Sequence, residues 1–262
     1  MRIIKNLPNI LTLINLFLGC LALIYIFYDH FIIIDAQRNT YVDMGKIEIA
    51  SLCIFIAAII DFLDGFVARL LHAQSAIGKQ LDSLADVVTF GVVPGVIMYQ
   101  LIARSYYTSA DAFEYPILYY AIGFVITMGA AYRLAKFNVD ERQTTEFLGL
   151  PTPAMALFVA SLPILILRNE FGMAELLTNK WILIAMVFLL TYLMVSEIPM
   201  MSLKIKSLGW KENSWTILLL IISGLIIIFS VAILQSIFII IPILILTYIL
   251  LSIIKNIKEN GI

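Results

Sequence analysis

Charge is scarce in this sequence. Of 262 residues only 13% are charged, 17 basic and 18 acidic, for a formal net charge of −1. A typical soluble domain carries about 25% charged and about 45–50% apolar residues; here 62% are hydrophobic. These proportions exclude a disordered chain, a coiled coil and an ordinary soluble globule. With a mean hydropathy of +1.00, the apolar surface exceeds what a soluble 29.5 kDa core could hide. The solvent must be largely lipid. The near-neutral balance also lacks the basic footprint of nucleic-acid binding. Cysteine is scarce too. Cys20 and Cys53 sit in apolar runs with no CxxC or Cys/His cluster, so neither a disulfide framework nor a zinc site is indicated. They read as small hydrophobes. The two histidines, His30 and His72, fall at loops or helix ends and read as solvated.

What is abundant is apolar sequence in runs of about twenty residues, the length that crosses a bilayer as helix. Such runs cover Ile10–Tyr28, Ile47–Leu70, Leu84–Ala103, Pro116–Leu134, Leu150–Leu167 and Trp181–Met201. A further run is too long for one span, and Gln235 and Ser236 divide it into Trp215–Leu234 and Ile237–Ile254. The basic start resembles a signal peptide. Its apolar run nevertheless continues to Tyr28 with no small-x-small site after it, so it reads as a first transmembrane helix. The expected fold is an all-α polytopic membrane protein of about eight transmembrane helices. Residues 1–262 are expected to form a single membrane domain, a six-helix catalytic core over about 8–201 plus two C-terminal helices over about 215–254.

Lys and Arg near helix ends set orientation. With the N-terminus inside, the cytoplasmic side holds Arg2, Lys5, Arg69, Lys79, Arg133, Lys136, Arg142, Lys204, Lys206, Lys211, Lys255 and Lys258. The other side holds Arg38, Lys46, Arg104, Arg168 and Lys180. Twelve against five predicts both termini in the cytoplasm and an even number of spans.

Carboxylates inside or at the end of a span are costly and mark function by default. One string stands out: Asp61-x2-Asp64-Gly65-x2-Ala68-Arg69-x8-Gly78-x3-Asp82-x3-Asp86. At about 100° per residue, Asp61, Asp64, Gly65 and Ala68 share one helix face. Asp82 and Asp86 share a face on the next helix. The connection between them is short, so the helices are expected to be antiparallel neighbours with four carboxylates converging near the cytoplasmic surface. Their repulsion in a low dielectric is relieved by divalent cations, and hard oxygen ligands suit Mg²⁺, Mn²⁺ or Ca²⁺ rather than zinc. Gly65 and Ala68 let a bulky group approach the backbone, and Arg69 and Lys79 put positive charge beside it. The implied ligand is an anionic, metal-binding group such as a diphosphate. Paired metals can clamp both oxygens of a phosphoryl displacement. Asp61 and Asp64 alone could equally be a solvated helix end or a cap; the whole string is far more specific.

This string resembles the signature of the CDP-alcohol phosphatidyltransferases at all eight specified positions. Further segments are similar to the bacterial and archaeal phosphatidylserine synthases of that family: Pro8 to Gly19, Leu81 to Pro94, Arg133 to Asn138 and Phe147 to Pro153. The resemblance covers roughly Pro8 to Pro153. It implies a membrane enzyme that transfers the phosphatidyl group from CDP-diacylglycerol to L-serine, giving phosphatidylserine and CMP. It also implies two divalent ions, Mg²⁺ or Mn²⁺, on Asp61, Asp64, Asp82 and Asp86, with Asp86 as the base that takes the serine proton. Gly65, Arg69 and Ser75 match positions that contact the CDP moiety, and Ala68 and Gly78 belong to the same string. A homodimer is expected from the family alone.

Secondary candidates carry alternatives. Arg133 and Lys136, with Asn138, could bind the serine carboxylate or a lipid phosphate, or simply anchor the helix end. Asn15, a polar amide in an apolar helix, could face the nucleotide cleft or bond another helix. Thr152, between two prolines, could face substrate or satisfy a helix start. Met200 and Met201 read as membrane packing. The nearest alternative is another acceptor of the same family, glycerol 3-phosphate, inositol phosphate or choline; a phosphorylated one would want additional Arg or Lys on the cleft, where the candidates are few beyond Arg69, Lys79, Arg133, Lys136 and Arg142. A cation transporter usually places its carboxylates near the bilayer midplane on broken helices, and a prenyltransferase would lack the Gly65-to-Arg69 string.

Overall fold

The computed structural model describes residues 6–28, 33–34, 40–41, 45–107, 116–140, 147–169, 172–201, 213–234 and 238–260. Helix dominates because a chain in lipid must satisfy its backbone N–H and C=O groups internally. The helices are α1 (Leu7–Phe27), α2 (Gly45–Leu70), α3 (Ala76–Asp86), α4 (Val93–Tyr107), α5 (Val125–Val139), α6 (Thr152–Arg168), the short α7 (Met173–Leu177), α8 (Lys180–Val195), α9 (Ser214–Phe229) and α10 (Ile240–Asn260). A π-helical segment, Val87–Val92, joins α3 to α4 without a break. A 3-10 segment, Ile117–Phe124, leads into α5, and a second π segment, Ser230–Leu234, extends α9. The extended elements among the described residues are two antiparallel pairs, β1 (Ile33–Ile34) with β2 (Thr40–Tyr41) and β3 (Phe147–Leu148) with β4 (Pro199–Met200).

Six of these rods are long and apolar enough to cross a membrane, and α6 and α8 are shorter apolar helices. Together they supply the eight helices expected. Two boundaries differ from expectation. The third span begins at Ala76 rather than Leu84, because Ser75 adopts an extended conformation and its Oγ accepts from the Gly78 N–H at 3.0 Å. That cap starts the helix within polar sequence. The sixth apolar run is helical only to Val195. Pro199 lacks an N–H and biases Ile198 away from helix, so Pro199–Met200 pairs as a strand instead. The division at Gln235 and Ser236, the charges Arg2, Lys5, Arg38, Arg142, Lys204, Lys206 and Lys211, and His30 lie outside the described residues. His72 is exposed in the turn after α2.

The most extensive helix contact among the described residues is between α1 and α2. The buried stripe of α1 is Pro8, Thr12, Asn15, Gly19, Ala22 and Ile26, and the small residues buried on α2 are Ala50, Ser51, Cys53 and Ala57. Small side chains let helix backbones approach in lipid. The third span is the hub, with 78% of its apolar window buried against 11% for α9. Phe90, Ile97, Met98 and Ile102 are fully buried there. α10 sends Ile245 and Ile249 into the same core.

Charge is segregated to the two ends of the bundle. At one end Arg168 reaches Glu48 at 3.4 Å and Lys180 lies 4.5 Å from the Tyr106 ring centroid. Lys46, in the first turn of α2, stacks over Tyr28 at the end of α1. The four aspartates lie at the opposite end.

Candidate active site

A tight turn joins α2 to α3. The Ala73 N–H donates to the Ala68 carbonyl, His72 takes a positive φ, and Ser75 then caps α3. This turn folds the end of α2 back against α3. One carboxylate oxygen each from Asp61, Asp64 and Asp82 come within 4.8 Å of one another. Asp86, one turn deeper, is buried, and its carboxyl meets that of Asp61 at hydrogen-bond range. Carboxylates this close need a proton or a cation between them.

α1 supplies the groups that orient two of them. Thr12 Oγ1 donates to Asp64 Oδ2 at 2.6 Å, and Asn15 Nδ2 donates to Asp86 Oδ1 at 3.3 Å. The remaining oxygen of the Asn15 amide is buried without a partner. Clustered carboxylates beside an unused amide oxygen make a hard-oxygen donor set, which fits a divalent cation of the Mg²⁺ or Mn²⁺ kind.

A cleft of about 620 Å³ opens beside Asp64 and Asp82. Gly65, Ala68, Arg69, Ser75, Gly78 and Lys79 line it. A Cβ on Gly65 would meet only the Arg69 Nη1, at 3.6 Å, so its face is open to an approaching group. A Cβ on Gly78 would lie 3.0 Å from both Asn9 Oδ1 and Ser75 Oγ, so glycine keeps this wall thin. Ser75 lines the cleft while its oxygen accepts the α3 cap bond, which leaves its proton and a second lone pair to offer. Asn15 does not line the cleft. It lies behind the acidic cluster, because Asp86 holds its amide there.

The four acceptor-side candidates do not form one cluster. Arg133 is buried, and its Nη1 donates to Thr152 Oγ1 at 2.9 Å. Its Nε has no hydrogen-bond partner, and the guanidinium lies within electrostatic reach of Asp86. Lys136 turns away to an ion pair with Glu197 at 2.9 Å. Asn138 ties α5 to α3: its Nδ2 donates to Ser83 Oγ at 2.7 Å and its carbonyl accepts from Lys79 Nζ at 3.3 Å. Sequence reasoning gave no site role to Thr12, Asn9 or Phe137, all three of which line the cleft. A signal for Thr12 was present, since Thr12 and Asn15 fall three apart on one face of an apolar helix.

Comparison with known proteins places this geometry. The family model described as CDP-alcohol phosphatidyltransferase matches residues 5–193. Among curated relatives, the Bacillus subtilis CDP-diacylglycerol–serine O-phosphatidyltransferase is 30% identical over 179 residues, 66% of this chain and 87% of its own length. The Helicobacter pylori protein of the same name is 30% identical over 218 residues, 82% of this chain and 79% of its own. An archaetidylserine synthase from Methanothermobacter thermautotrophicus is 29% identical over 157 residues, 59% of this chain and 56% of its own. The match takes in all four aspartates and most of the chain, and the protein therefore belongs to the CDP-alcohol phosphatidyltransferase family.

Proposed function

We propose that this protein transfers the phosphatidyl group of CDP-diacylglycerol to the hydroxyl of L-serine, giving phosphatidylserine and CMP. The observation that carries this reading is the four-aspartate cluster opening on a cleft with Arg69 and Lys79 on its wall, in a chain whose relatives are named for that reaction. Two divalent cations, Mg²⁺ or Mn²⁺, held by Asp61, Asp64, Asp82 and Asp86, would offset the diphosphate charge and stabilise the leaving CMP.

The chain's own residues do the rest. Gly65 and Ala68 let the diphosphate lie against the α2 backbone, and Arg69 and Lys79 pair with its oxygens. Asp86, oriented by Asn15, accepts the proton of the serine hydroxyl. The serine oxygen then bonds to the phosphorus that carries diacylglycerol, and the bond from that phosphorus to the CMP oxygen breaks. Arg133 offers its unpartnered Nε to the serine carboxylate. Among the described residues Arg133 is the cation argued to be spare, which suits one carboxylate better than the dianion of glycerol 3-phosphate and favours serine as acceptor.

The chain works in this reading as a single membrane domain and a homodimer, with the site and both termini on the cytoplasmic side. Serine then enters from water and the lipid from the adjoining leaflet. The experiment is CMP release by purified protein in detergent with CDP-diacylglycerol and Mn²⁺ or Mg²⁺, comparing serine with glycerol 3-phosphate, inositol phosphate and choline. Serine-dependent release lost in Asp86→Asn supports the reading. Release with another acceptor alone overturns it.

A further inference from the structure

The last helix is bonded to the chain that frames Arg133. Tyr248 Oη donates to the Met201 carbonyl at 3.0 Å, and the Met201 N–H donates to Ser252 Oγ at 3.1 Å. Two side chains one turn apart on α10 thus take both polar groups of one residue. Ser252 in turn donates to the Tyr248 carbonyl at 2.7 Å, so the clasp is self-braced. The Met201 side chain is buried against Leu219 and Leu251, with the Tyr248 ring packed on the same cluster.

Met201 directly follows β4, and β4 pairs with β3 in the register Phe147↔Met200 and Leu148↔Pro199. Beyond the pair, the Gly149 N–H donates to the Ile198 carbonyl and the Leu150 N–H to the Leu193 carbonyl. Gly149 has φ +73°, and a Cβ there would run into the Met194 carbonyl, so this crossing is tight. Three residues beyond Gly149, Thr152 begins α6 and accepts from Arg133. The Tyr248 phenol also lies within electrostatic reach of Arg133 itself. The route from α10 to Arg133 therefore runs through hydrogen bonds joined by short stretches of backbone. Met201, Tyr248 and Ser252 all lie beyond residues 5–193, the part that matches the family.

We propose that Tyr248 and Ser252 are positioning residues for the acceptor side of the site. By clasping Met201 they fix the β3–β4 crossing, and so hold Thr152 and the Arg133 guanidinium at the distance from Asp86 that the acceptor needs. The last span is then part of the specificity apparatus. This inference rests on the reading of Arg133 as the acceptor cation.

The test uses the full chain in detergent micelles. Tyr248→Phe keeps the ring on Met201 and removes the hydroxyl; Ser252→Ala removes the other half of the clasp. Each is expected to raise the KM for serine about three- to tenfold, the scale of one buried hydrogen bond, and to leave the KM for CDP-diacylglycerol unchanged. Ser252→Thr, which keeps a hydroxyl, is expected to restore the serine KM. Leu246→Ala, exposed on the same helix, should shift neither. Hydrogen exchange supplies a readout independent of turnover: amides in 148–152 and at 201 should exchange faster in both clasp variants. An unchanged serine KM, or equal rises in both KM values, overturns the proposal. Should the wild type use glycerol 3-phosphate rather than serine, the serine reading falls and the KM for glycerol 3-phosphate decides the clasp. Should no acceptor yield CMP, exchange decides it: acceleration across 148–152 supports the clasp, and wild-type exchange there overturns it.

Discussion

Asn15 and Asp86, seventy-one positions apart, meet inside the bundle, the amide of one donating to the carboxylate of the other at 3.3 Å. Asn15 reaches this place because α1 buries a stripe of small and polar residues against its neighbours. In the proposed reaction, this bond would leave the other Asp86 oxygen to receive the serine proton. Replacing Asp86 by Asn should lower CMP release by about 10²–10⁴-fold, the usual weight of a general base. Asn15→Leu should reduce kcat by a smaller factor and leave the KM for CDP-diacylglycerol unaltered. Steady-state rates of the two variants test the order; an Asn15→Leu enzyme with wild-type kcat would refute the orienting role.

Thr12 gives the second orienting bond, to Asp64 at 2.6 Å. Groups that orient metal-binding carboxylates typically change metal affinity by about 10–100-fold when lost. Thr12→Val should therefore raise the Mn²⁺ concentration for half-maximal activity into that range, while Thr12→Ser retains the wild-type value. Titration of activity with Mn²⁺ after treatment with a chelator separates them.

Lys136 and Arg133 should behave differently although three residues separate them. Lys136 is committed to Glu197 on an accessible surface, where such a pair contributes about 0–1 kcal/mol. Lys136→Ala should leave the serine KM within about twofold, consistent with that small contribution. Arg133→Ala removes a buried cation bonded to Thr152 and should raise the serine KM by at least tenfold, on the order of a charged hydrogen bond. Equal effects from the two would contradict the assignment.

Two glycines give a stability contrast. A Cβ on Gly123 would lie 2.5 Å from the Tyr99 nitrogen and 2.9 Å from the Gly95 carbonyl oxygen, both backbone atoms that cannot step aside. Gly123→Ala should cost about 1–3 kcal/mol, the typical penalty of overpacking. Gly224, on the exposed α9, has nothing within 4 Å of that position. Gly224→Ala should stabilise its helix by up to about 1 kcal/mol. Thermal unfolding in detergent should move in opposite directions.

Much of this was legible in the residues, for identifiable reasons. Long apolar runs announce helices in lipid, and the spacing from Asp61 to Asp86 places carboxylates on facing helices whatever else the fold does. The places of Gly65, Ala68, Arg69 and Lys79 beside the acidic face followed from the same spacing. What escaped depended on contacts between distant segments. Nothing local says that Lys136 will meet Glu197. The pairing of Phe147–Leu148 with Pro199–Met200 needs two loops more than fifty positions apart. Thr12 was hidden because threonine in a membrane helix usually bonds its own backbone, and here the Pro8 carbonyl also lies 3.1 Å away.

The π-helical stretch Val87–Val92 begins immediately after Asp86. A π turn admits one residue more than an α turn, so it rotates the downstream helix by about 100° relative to an uninterrupted α-helix. The acid-bearing α3 and the core-packing α4 are thereby set at independent azimuths on what is otherwise one rod. Deleting a single residue from 87–92 would erase that offset. Ile97 and Met98 could keep their seats in the core, and the aspartates would then swing away from α1 and α2. The phenotype would be a folded, membrane-inserted protein without chemistry. A one-residue length change at this locus therefore separates inheritance of the fold from inheritance of the activity.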